Sequence, residues 1–122
     1  MPINLDSLAN ENFCYLTTTG RRSGKPHTIE IWFALKGNTL YMLSGGRDKS
    51  DWVRNISQHP DVQVRIRESV FNGQARVVRA DTDAQEDALA RDIVYDKYTA
   101  RGENDLIGWS HTSLPVAVDL AV

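Results

Sequence analysis

Two short segments of the chain combine the residue types that bind phosphate groups in proteins. The first basic loop, residues 17–26, reads TTTGRRSGKP, and the second basic loop, residues 44–52, reads SGGRDKSDW. Each loop begins where an alternating apolar run ends, and each brings together glycines, hydroxyls and guanidinium or ammonium groups. Charged donors and closely spaced backbone N–H groups hold phosphate oxygens well. The two loops therefore predict a phosphorylated cofactor that lies across one end of a β-structure.

The glycines of the first loop and the position of the second loop support this interpretation. Gly20 and Gly24 bracket two arginines and a serine, so the backbone can turn sharply and bring N–H groups close to an anion. The second loop leads into a predicted helix, whose first N–H groups and dipole favour negative charge. The alternative for each loop is an exposed connection with solvated basic residues. Neither loop has the spacing of a Walker motif or of a dinucleotide fingerprint.

Other residues with useful chemistry form no recognisable site. The histidines, His27, His59 and His111, lack the spacing of metal ligands, and a single cysteine cannot complete a zinc site. We therefore expect no metal, and no pattern identifies a catalytic nucleophile. Trp32 and Trp109 are interpreted first as core or interface aromatics and second as groups that stack on a cofactor.

Length and charge narrow the class of protein. The 122 residues predict one domain with its own core. Residues 1–80 carry 11 Lys/Arg against 7 Asp/Glu, and residues 81–122 carry 3 against 9. This asymmetry argues against a nucleic-acid binder, which would be basic throughout, and suits a small anionic ligand. The chain shows no apolar run of membrane-spanning length and no signal-peptide pattern. With one cysteine, Cys14, no disulfide can form within the chain, and we expect a cytoplasmic protein.

Alternating apolar residues predict strands on both sides of the loops. Residues 13–19 and 28–35 are predicted strands, and Gly37-Asn38 is a tight turn into a third strand at residues 39–44. A short helix follows, with Trp52, Val53 and Ile56 on its inner face, with Asp48 or Ser50 as its N-cap, and ending before Pro60.

The second half of the chain predicts three more strands and a longer helix. Strands are expected around residues 62–66 and 70–78, with the turn at Glu68-Ser69 and Gly73 as a bulge. Residues 82–98 predict a helix with Asp81 or Thr82 as its cap, and residues 115–120 predict the last strand. The order β-β-β-α-β-β-α-β, mostly antiparallel, implies a barrel-like sheet closed by helices.

The chain resembles the deazaflavin-dependent nitroreductase family. That family belongs to the split β-barrel superfamily, which also holds the pyridoxamine-phosphate-oxidase-like FMN proteins. Residues 16–26 resemble its first motif, and Ser44-Gly45-Gly46 followed by Trp52 and Asn55 resembles the second. The stretches 59–64 and 114–118 are similar to the strands that follow.

The resemblance implies a mainly β fold, a split β-barrel of about six mostly antiparallel strands with two to three helices, in one domain over residues 1–122. It implies an oxidoreductase that passes a hydride between coenzyme F420 and an electron-poor acceptor such as a quinone or a nitro compound. A homodimer is implied as well. The residues that would contact the cofactor are Thr19, Arg21, Arg22, Ser23, Gly24, Lys25, Thr28, Ser44, Gly45, Gly46, Arg47, Lys49 and Trp52.

Two departures from the family pattern keep other functions open. Gly45 stands where members commonly have a basic residue, so Arg47 or Lys49 would supply that charge, and His27 stands where arginine is frequent. FMN is the alternative cofactor, which would make the protein an FMN-binding reductase. A carrier that holds a flavin, a deazaflavin or a lipid without turnover is the alternative of another class. The chain shows no equivalent of a tyrosine-rich substrate lid.

Overall fold

The computed structural model describes residues 5–121 of the chain. These residues form one curled antiparallel sheet of seven strands, with three α-helices. The strands are β1 (Cys14–Thr19), β2 (Pro26–Ile31), β3 (Ala34–Lys36), β4 (Thr39–Ser44), β5 (Asp61–Ile66), β6 (Ser69–Val77) and β7 (Leu114–Leu120). The helices are α1 (Asp51–Gln58), α2 (Ala84–Ala100) and α3 (Leu106–Thr112), and two short 3-10 turns lie at Leu5–Leu8 and Arg47–Lys49. The mostly β split barrel predicted from the sequence is confirmed.

The strand order is β2-β1-β5-β6-β7-β4-β3, which places β2 and β3 at opposite edges of the sheet. These two strands are nevertheless joined by only two residues, Trp32 and Phe33. The sheet must therefore curl until its edges come close together. The single strand predicted over residues 28–35 is thus wrong: the chain leaves β1 and joins β4 at this point.

The hydroxyl of Tyr98, on α2, binds the two-residue connection between β2 and β3. It accepts a hydrogen bond from the backbone N–H of Phe33 at 2.9 Å and lies 2.7 Å from the carbonyl oxygen of Asn12. Phe33 and Tyr98 are almost completely buried, so these polar groups need such partners. The Lys97 ammonium adds a hydrogen bond to the Phe33 carbonyl at 2.9 Å.

Strand alternation divides the core into two layers. One set of side chains, which includes Leu16, Val64 and Val118, fills the inside of the curled sheet together with Val53 and Ile56 of α1. A second set lies on the outside of β3, β4 and β7 and is covered by α2, whose buried residues are Ala90, Val94 and Tyr98. The predicted apolar stripe of this helix is confirmed, because Leu89 and Ile93 pack against the same cluster.

Gly73 is not a bulge. The pairing of β5 with β6 runs through Gly73 without interruption, and on the other side Gly73 is paired with Leu120 at the end of the β6–β7 register. A Cβ at this position would lie 2.6 Å from Cγ1 of Val118 and 3.0 Å from the carbonyl oxygen of Asp119. The glycine is required by close packing against β7, and its strand-interior position had suggested a bulge instead.

Helix and turn boundaries differ from the prediction by small shifts. The turn between β5 and β6 consists of Arg67 and Glu68, and Arg67 has a positive φ of 55°. Ser50 is the N-cap of α1, as predicted, and Asp83 rather than Asp81 or Thr82 is the N-cap of α2. Helix α3 was not predicted at all.

Within residues 5–121, no helix is long and apolar enough to cross a membrane.

Candidate functional site

The two basic loops are joined by a buried side chain, Asn55 of α1. Its Oδ1 accepts hydrogen bonds from the backbone N–H of Arg21 at 3.1 Å and from Nη1 of Arg21 at 2.9 Å. Its Nδ2 donates to Oγ1 of Thr18 at 3.2 Å, and both Asn55 and Thr18 are buried. Arg21 also forms a 3.3 Å ion pair with Asp51. Because α1 begins directly after the second loop, these contacts fix the first loop against it.

The first basic loop is a tight turn with its cations on the outside. The N–H of Gly20 donates to the carbonyl of Lys25 at 2.8 Å, and the N–H of Gly24 donates to the carbonyl of Gly20 at 2.9 Å. Gly24 has a φ of +70°, which favours glycine. Ser23 Oγ accepts a hydrogen bond from the N–H of Lys25 at 3.2 Å. The side chains of Arg22 and Lys25 are exposed and have no hydrogen-bond partner among the described residues.

The serine hydroxyls of the second basic loop form hydrogen bonds within the loop. Ser44 is buried, and its hydroxyl lies 2.9 Å from the carbonyl oxygen of Arg47 and 2.8 Å from the hydroxyl of Ser50. A Cβ on Gly46 would lie 2.5 Å from Oγ of Ser50, so a side chain at this position would force the serine to move. The side chain of Lys49 is exposed and, within residues 5–121, has no partner. The hydroxyls thus shape the loop, while Lys49 remains available to a ligand.

The Arg47 guanidinium turns away from the other cations of the loops. Arg47 has a φ of +54°, and its Nη1 donates to the carbonyl oxygen of Thr112 at 2.6 Å. Thr112 is the last residue of α3. In this structure the second loop is therefore bound to a helix that follows it by more than fifty residues.

A cleft opens between β2 and β4 where the curled sheet does not close. Strand β2 pairs with β1 only, and β3 pairs with β4 only over Ala34–Lys36, so the last residues of β4 have no partner strand on this side. The split cleft has a volume of about 410 Å³. It is lined by Glu30, Ile31, Trp32, Leu43, Leu106 and Trp109.

Two indoles form a corner in the split cleft. Trp32 stacks on Tyr98, with ring centroids 4.2 Å apart, and meets Trp109 of α3 at 5.8 Å with the ring planes at 87°. Both tryptophans are half-buried and pack against the outer core cluster. A Cβ on Gly45 would lie 3.7 Å from Nε1 of Trp109, so the second loop passes directly beside this corner. The core interpretation of the two tryptophans is confirmed, and each also has a face on the cleft.

Two of the residues predicted to contact a cofactor belong to a different surface. Thr19 lines a groove of about 510 Å³ on the outer face of the sheet, which it shares with Thr17, Gln63 and Asn72. The hydroxyl of Thr28 lies 2.7 Å from the hydroxyl of Thr17, on that same face. The structure therefore separates the two threonines from the split cleft.

Among the described residues, neither Trp52 nor the titratable side chains form a second candidate site. Trp52 is half-buried and packs against the inner core cluster, which fits its predicted position on the inner face of α1. Among the described residues, no group of three or more His, Cys, Asp or Glu side chains is placed to hold a metal ion. Large pKa changes lie elsewhere: burial raises the pKa of Cys14 to about 12 and lowers the pKa of Lys97 to about 8.

Sequence reasoning missed two features of the site. The sequence motif includes Asn55 but does not show its role. Its position between Val53 and Ile56 was the available signal, because an amide on the inner face of a helix must find buried hydrogen-bond partners. Helix α3 was missed because, of its seven residues, LIGWSHT, only Leu106 is a strong helix former and one is a glycine.

Comparison with known proteins adds a family and a set of similar folds. The model of a family described as F420H(2)-dependent quinone reductase matches residues 6–121. A solved structure described as an F420 reductase superposes with a TM-score of 0.68 at 21% identity, over 100% of this chain and 97% of its own. A Listeria innocua protein assigned as a pyridoxamine 5′-phosphate oxidase gives 0.66 at 19% identity, over 97% and 90%. A structure described as a domain-swapped dimer gives 0.61 at 22%, over 88% and 79%.

Proposed function

The chain belongs to the F420H(2)-dependent quinone reductase family, and we propose that it binds coenzyme F420 and passes a hydride from the reduced deazaflavin to a quinone or a similar electron-poor molecule. Membership in the family bears out the resemblance seen in the motifs of the two loops. The observation that carries the proposal is the open seam of the barrel along the free edge of β2, which has an indole-walled cleft at one end and the exposed cations of the first loop at the other.

The dimensions of the seam suit an elongated ligand with a planar ring and an anionic tail. Strand β2 has six residues and runs from the first basic loop to the cleft, which is about 20 Å at 3.3 Å per residue. Its edge facing away from β1 has no partner strand among the described residues, so its backbone groups on that side are open to a ligand. A ring in the split cleft would contact Ile31, Trp32 and Leu43, while the tail would reach the first loop.

The charges of the loops suit the anionic tail. Arg22 and Lys25 are exposed at the end of β2, and Lys49 is exposed on the second loop. A guanidinium or ammonium group without an internal partner can form a charge-assisted hydrogen bond with a phosphate or a carboxylate. Arg21, by contrast, is already bound to Asn55 and serves to shape the loop. We therefore assign the tail contacts to Arg22, Lys25 and Lys49.

In this reaction bound F420 would supply the hydride, and the protein would supply the positions of the ring and of the acceptor. The half-buried indoles of Trp32 and Trp109 form two walls at right angles, which limit how a second planar molecule can approach the ring. Ile31 and Leu43 add apolar surface to the same space, which would shield one side of a bound ring from water. Ser44 holds the second loop through its bond to the Arg47 carbonyl, so the backbone at Gly45 keeps a fixed place beside the cleft.

The proposal is tested by cofactor titration followed by turnover. Purified protein is titrated with F420 and with FMN at rising salt, and we expect tighter binding of F420, with a preference that shrinks as salt screens the cations of the loops. Reduced F420 should then be oxidised when quinones or nitroaromatics are added, with saturation in the acceptor. Tighter binding of FMN would favour the FMN-dependent reductase, and tight F420 binding without oxidation across the panel would favour a carrier.

We also propose a homodimer formed through the outer face of β1, β2, β5 and β6. The described helices leave this face uncovered, and it exposes Phe13 and Val70, which are 39% and 53% exposed. The similarity in fold to a structure described as a domain-swapped dimer supports the idea of self-association. Light scattering after size exclusion should give the mass of two chains, and Val70→Asp should shift it towards one; a wild-type monomer at micromolar concentration would contradict the proposal.

A further inference from the structure

Helix α3 has little of its own to hold it in place. It has seven residues, and an isolated helix of this length is not stable in water. Its N-cap residue, Asp105, has a left-handed φ of 61° and makes no side-chain capping hydrogen bond. Ile107 is 61% exposed, and Ser110 is the one residue of the helix that is fully buried. The position of α3 must therefore be set by contacts with other elements.

Two arginines supply those contacts at the carboxyl end of the helix. Nη1 of Arg91, from α2, lies 2.8 Å from the carbonyl oxygen of Ser110, 3.0 Å from that of His111 and 2.7 Å from that of Ser113. Nη1 of Arg47 lies 2.6 Å from the carbonyl oxygen of Thr112. The last carbonyls of a helix have no internal partner and carry its negative dipole end, so cations are well placed there.

The two arginines differ in what they connect. Arg91 is aligned by Asp87, four residues earlier on the same helix, with Nε 3.0 Å from the carboxylate, so it belongs to the fixed body of α2. Arg47 comes from the second basic loop, where its own carbonyl accepts the hydroxyl of Ser44. The bond from Arg47 to Thr112 therefore links that loop to the helix that carries Trp109 into the split cleft.

We propose that Arg47 is a positioning residue that latches α3 over the split cleft and thereby places the Trp109 indole against which the electron acceptor binds. The part of this proposal that concerns the acceptor rests on the proposed function. The latch gives Arg47 a role other than the cofactor contact implied by the family resemblance. Arg47 and Lys49 therefore have different roles within one loop. Arg47 is bound to α3, whereas Lys49, two residues away, is exposed and has no partner among the described residues.

The first experiment needs no ligand. Backbone amide hydrogen exchange over residues 106–112 is measured for the wild type, Arg47→Ala and the matched variant Lys49→Ala, which removes a cation from the same loop. Loss of a charge-assisted hydrogen bond should raise exchange in α3 by about tenfold in Arg47→Ala, and exchange in Lys49→Ala should match the wild type. Unchanged exchange in Arg47→Ala, or an equal rise in both variants, overturns the latch.

The second experiment separates the latch from a cofactor contact. For Arg47→Ala we expect an F420 Kd within about twofold of the wild type, a raised KM for the quinone and a smaller change in kcat. A loss of F420 affinity as large as that of Arg22→Ala, with KM for the quinone unchanged, overturns the proposal in favour of direct cofactor binding. If the wild type fails to oxidise reduced F420, the proposed function fails, while the exchange experiment still decides whether Arg47 holds α3.

Discussion

Replacing Asn55 with alanine should destabilise the protein more than any other single polar change near the loops. Asn55 is only 4% exposed, and its side chain connects three groups: the Arg21 N–H, the Arg21 guanidinium and the Thr18 hydroxyl. Thr18 is 2% exposed, so water cannot replace its lost partner without local opening. The substitution therefore leaves one buried hydroxyl unsatisfied and removes two of the hydrogen bonds that hold the first basic loop against α1.

The magnitude follows from these three hydrogen bonds. An unsatisfied buried polar group costs about 1–3 kcal/mol, and a hydrogen bond to a charged group contributes about 1.5–3 kcal/mol. The side chain of Arg21 is 24% exposed, so water compensates part of its loss. We expect the free energy of unfolding to fall by about 2–4 kcal/mol, out of the roughly 5–15 kcal/mol of a typical domain.

Urea denaturation at constant pH measures this loss directly. Gln58→Ala is the matched control, because Gln58 is an exposed amide at the end of the same helix and should change stability by less than about 0.5 kcal/mol. Asn55→Asp keeps an acceptor for Arg21 but no longer donates to Thr18, and should lie between the wild type and Asn55→Ala. In a double-mutant cycle, Arg21→Ala and Asn55→Ala should be less than additive. A loss in Asn55→Ala no larger than that of the control would refute the reasoning.

Three further predictions concern single residues. Arg22→Ala should weaken F420 binding about tenfold with an unchanged Tm, whereas Arg21→Ala should lower the Tm; titration and thermal melts of both variants check this. Gly73→Ala should lower the free energy of unfolding by about 1–3 kcal/mol, because its Cβ would clash with β7, while Gly108→Ala, which has open space around it, should not; urea melts compare the two. The free energy of unfolding should rise between pH 8 and 9, and Lys97→Met should abolish the rise; parallel pH profiles for wild type and variant would contradict this.

The sign of that pH dependence follows from which state holds the proton. Burial lowers the pKa of Lys97 from 10.5 to about 8, so between these values the unfolded chain holds a proton that the folded protein has released, and stability rises with pH. Burial raises the pKa of Cys14 from 9.0 to about 12 and those of Tyr41 and Tyr98 from 10.0 to about 12. These three groups lower stability as the pH rises above 9 and above 10, so the contribution of Lys97 is seen best below pH 9.

The fold could be predicted because its strands carry a local signal. Strand β4 was predicted over residues 39–44, where the structure has it, because a Gly-Asn turn and an apolar run define both of its ends. The break at Trp32 and Phe33 could not be predicted in the same way. Alternation continues through these residues, and the bend exists because Tyr98, more than sixty residues later, binds the backbone of Phe33. Sequence periodicity reports the faces of a strand but not which neighbour it joins.

The availability of the cations in the two loops could not be predicted either. Arg21 and Arg22 are adjacent and have the same chemistry, yet Arg21 binds Asn55 at a separation of 34 residues and Arg22 is free of partners within residues 5–121. Arg47 and Lys49 differ in the same way: Arg47 binds the carbonyl of Thr112 at a separation of 65 residues, and Lys49 has no partner within residues 5–121. Residue type and loop position indicate that an anion can be bound, but the tertiary contacts decide which cations are left to bind it. An arginine that is already bound to the protein contributes rigidity to the site, whereas an exposed cation without such a bond is the better placed to contribute affinity for the ligand.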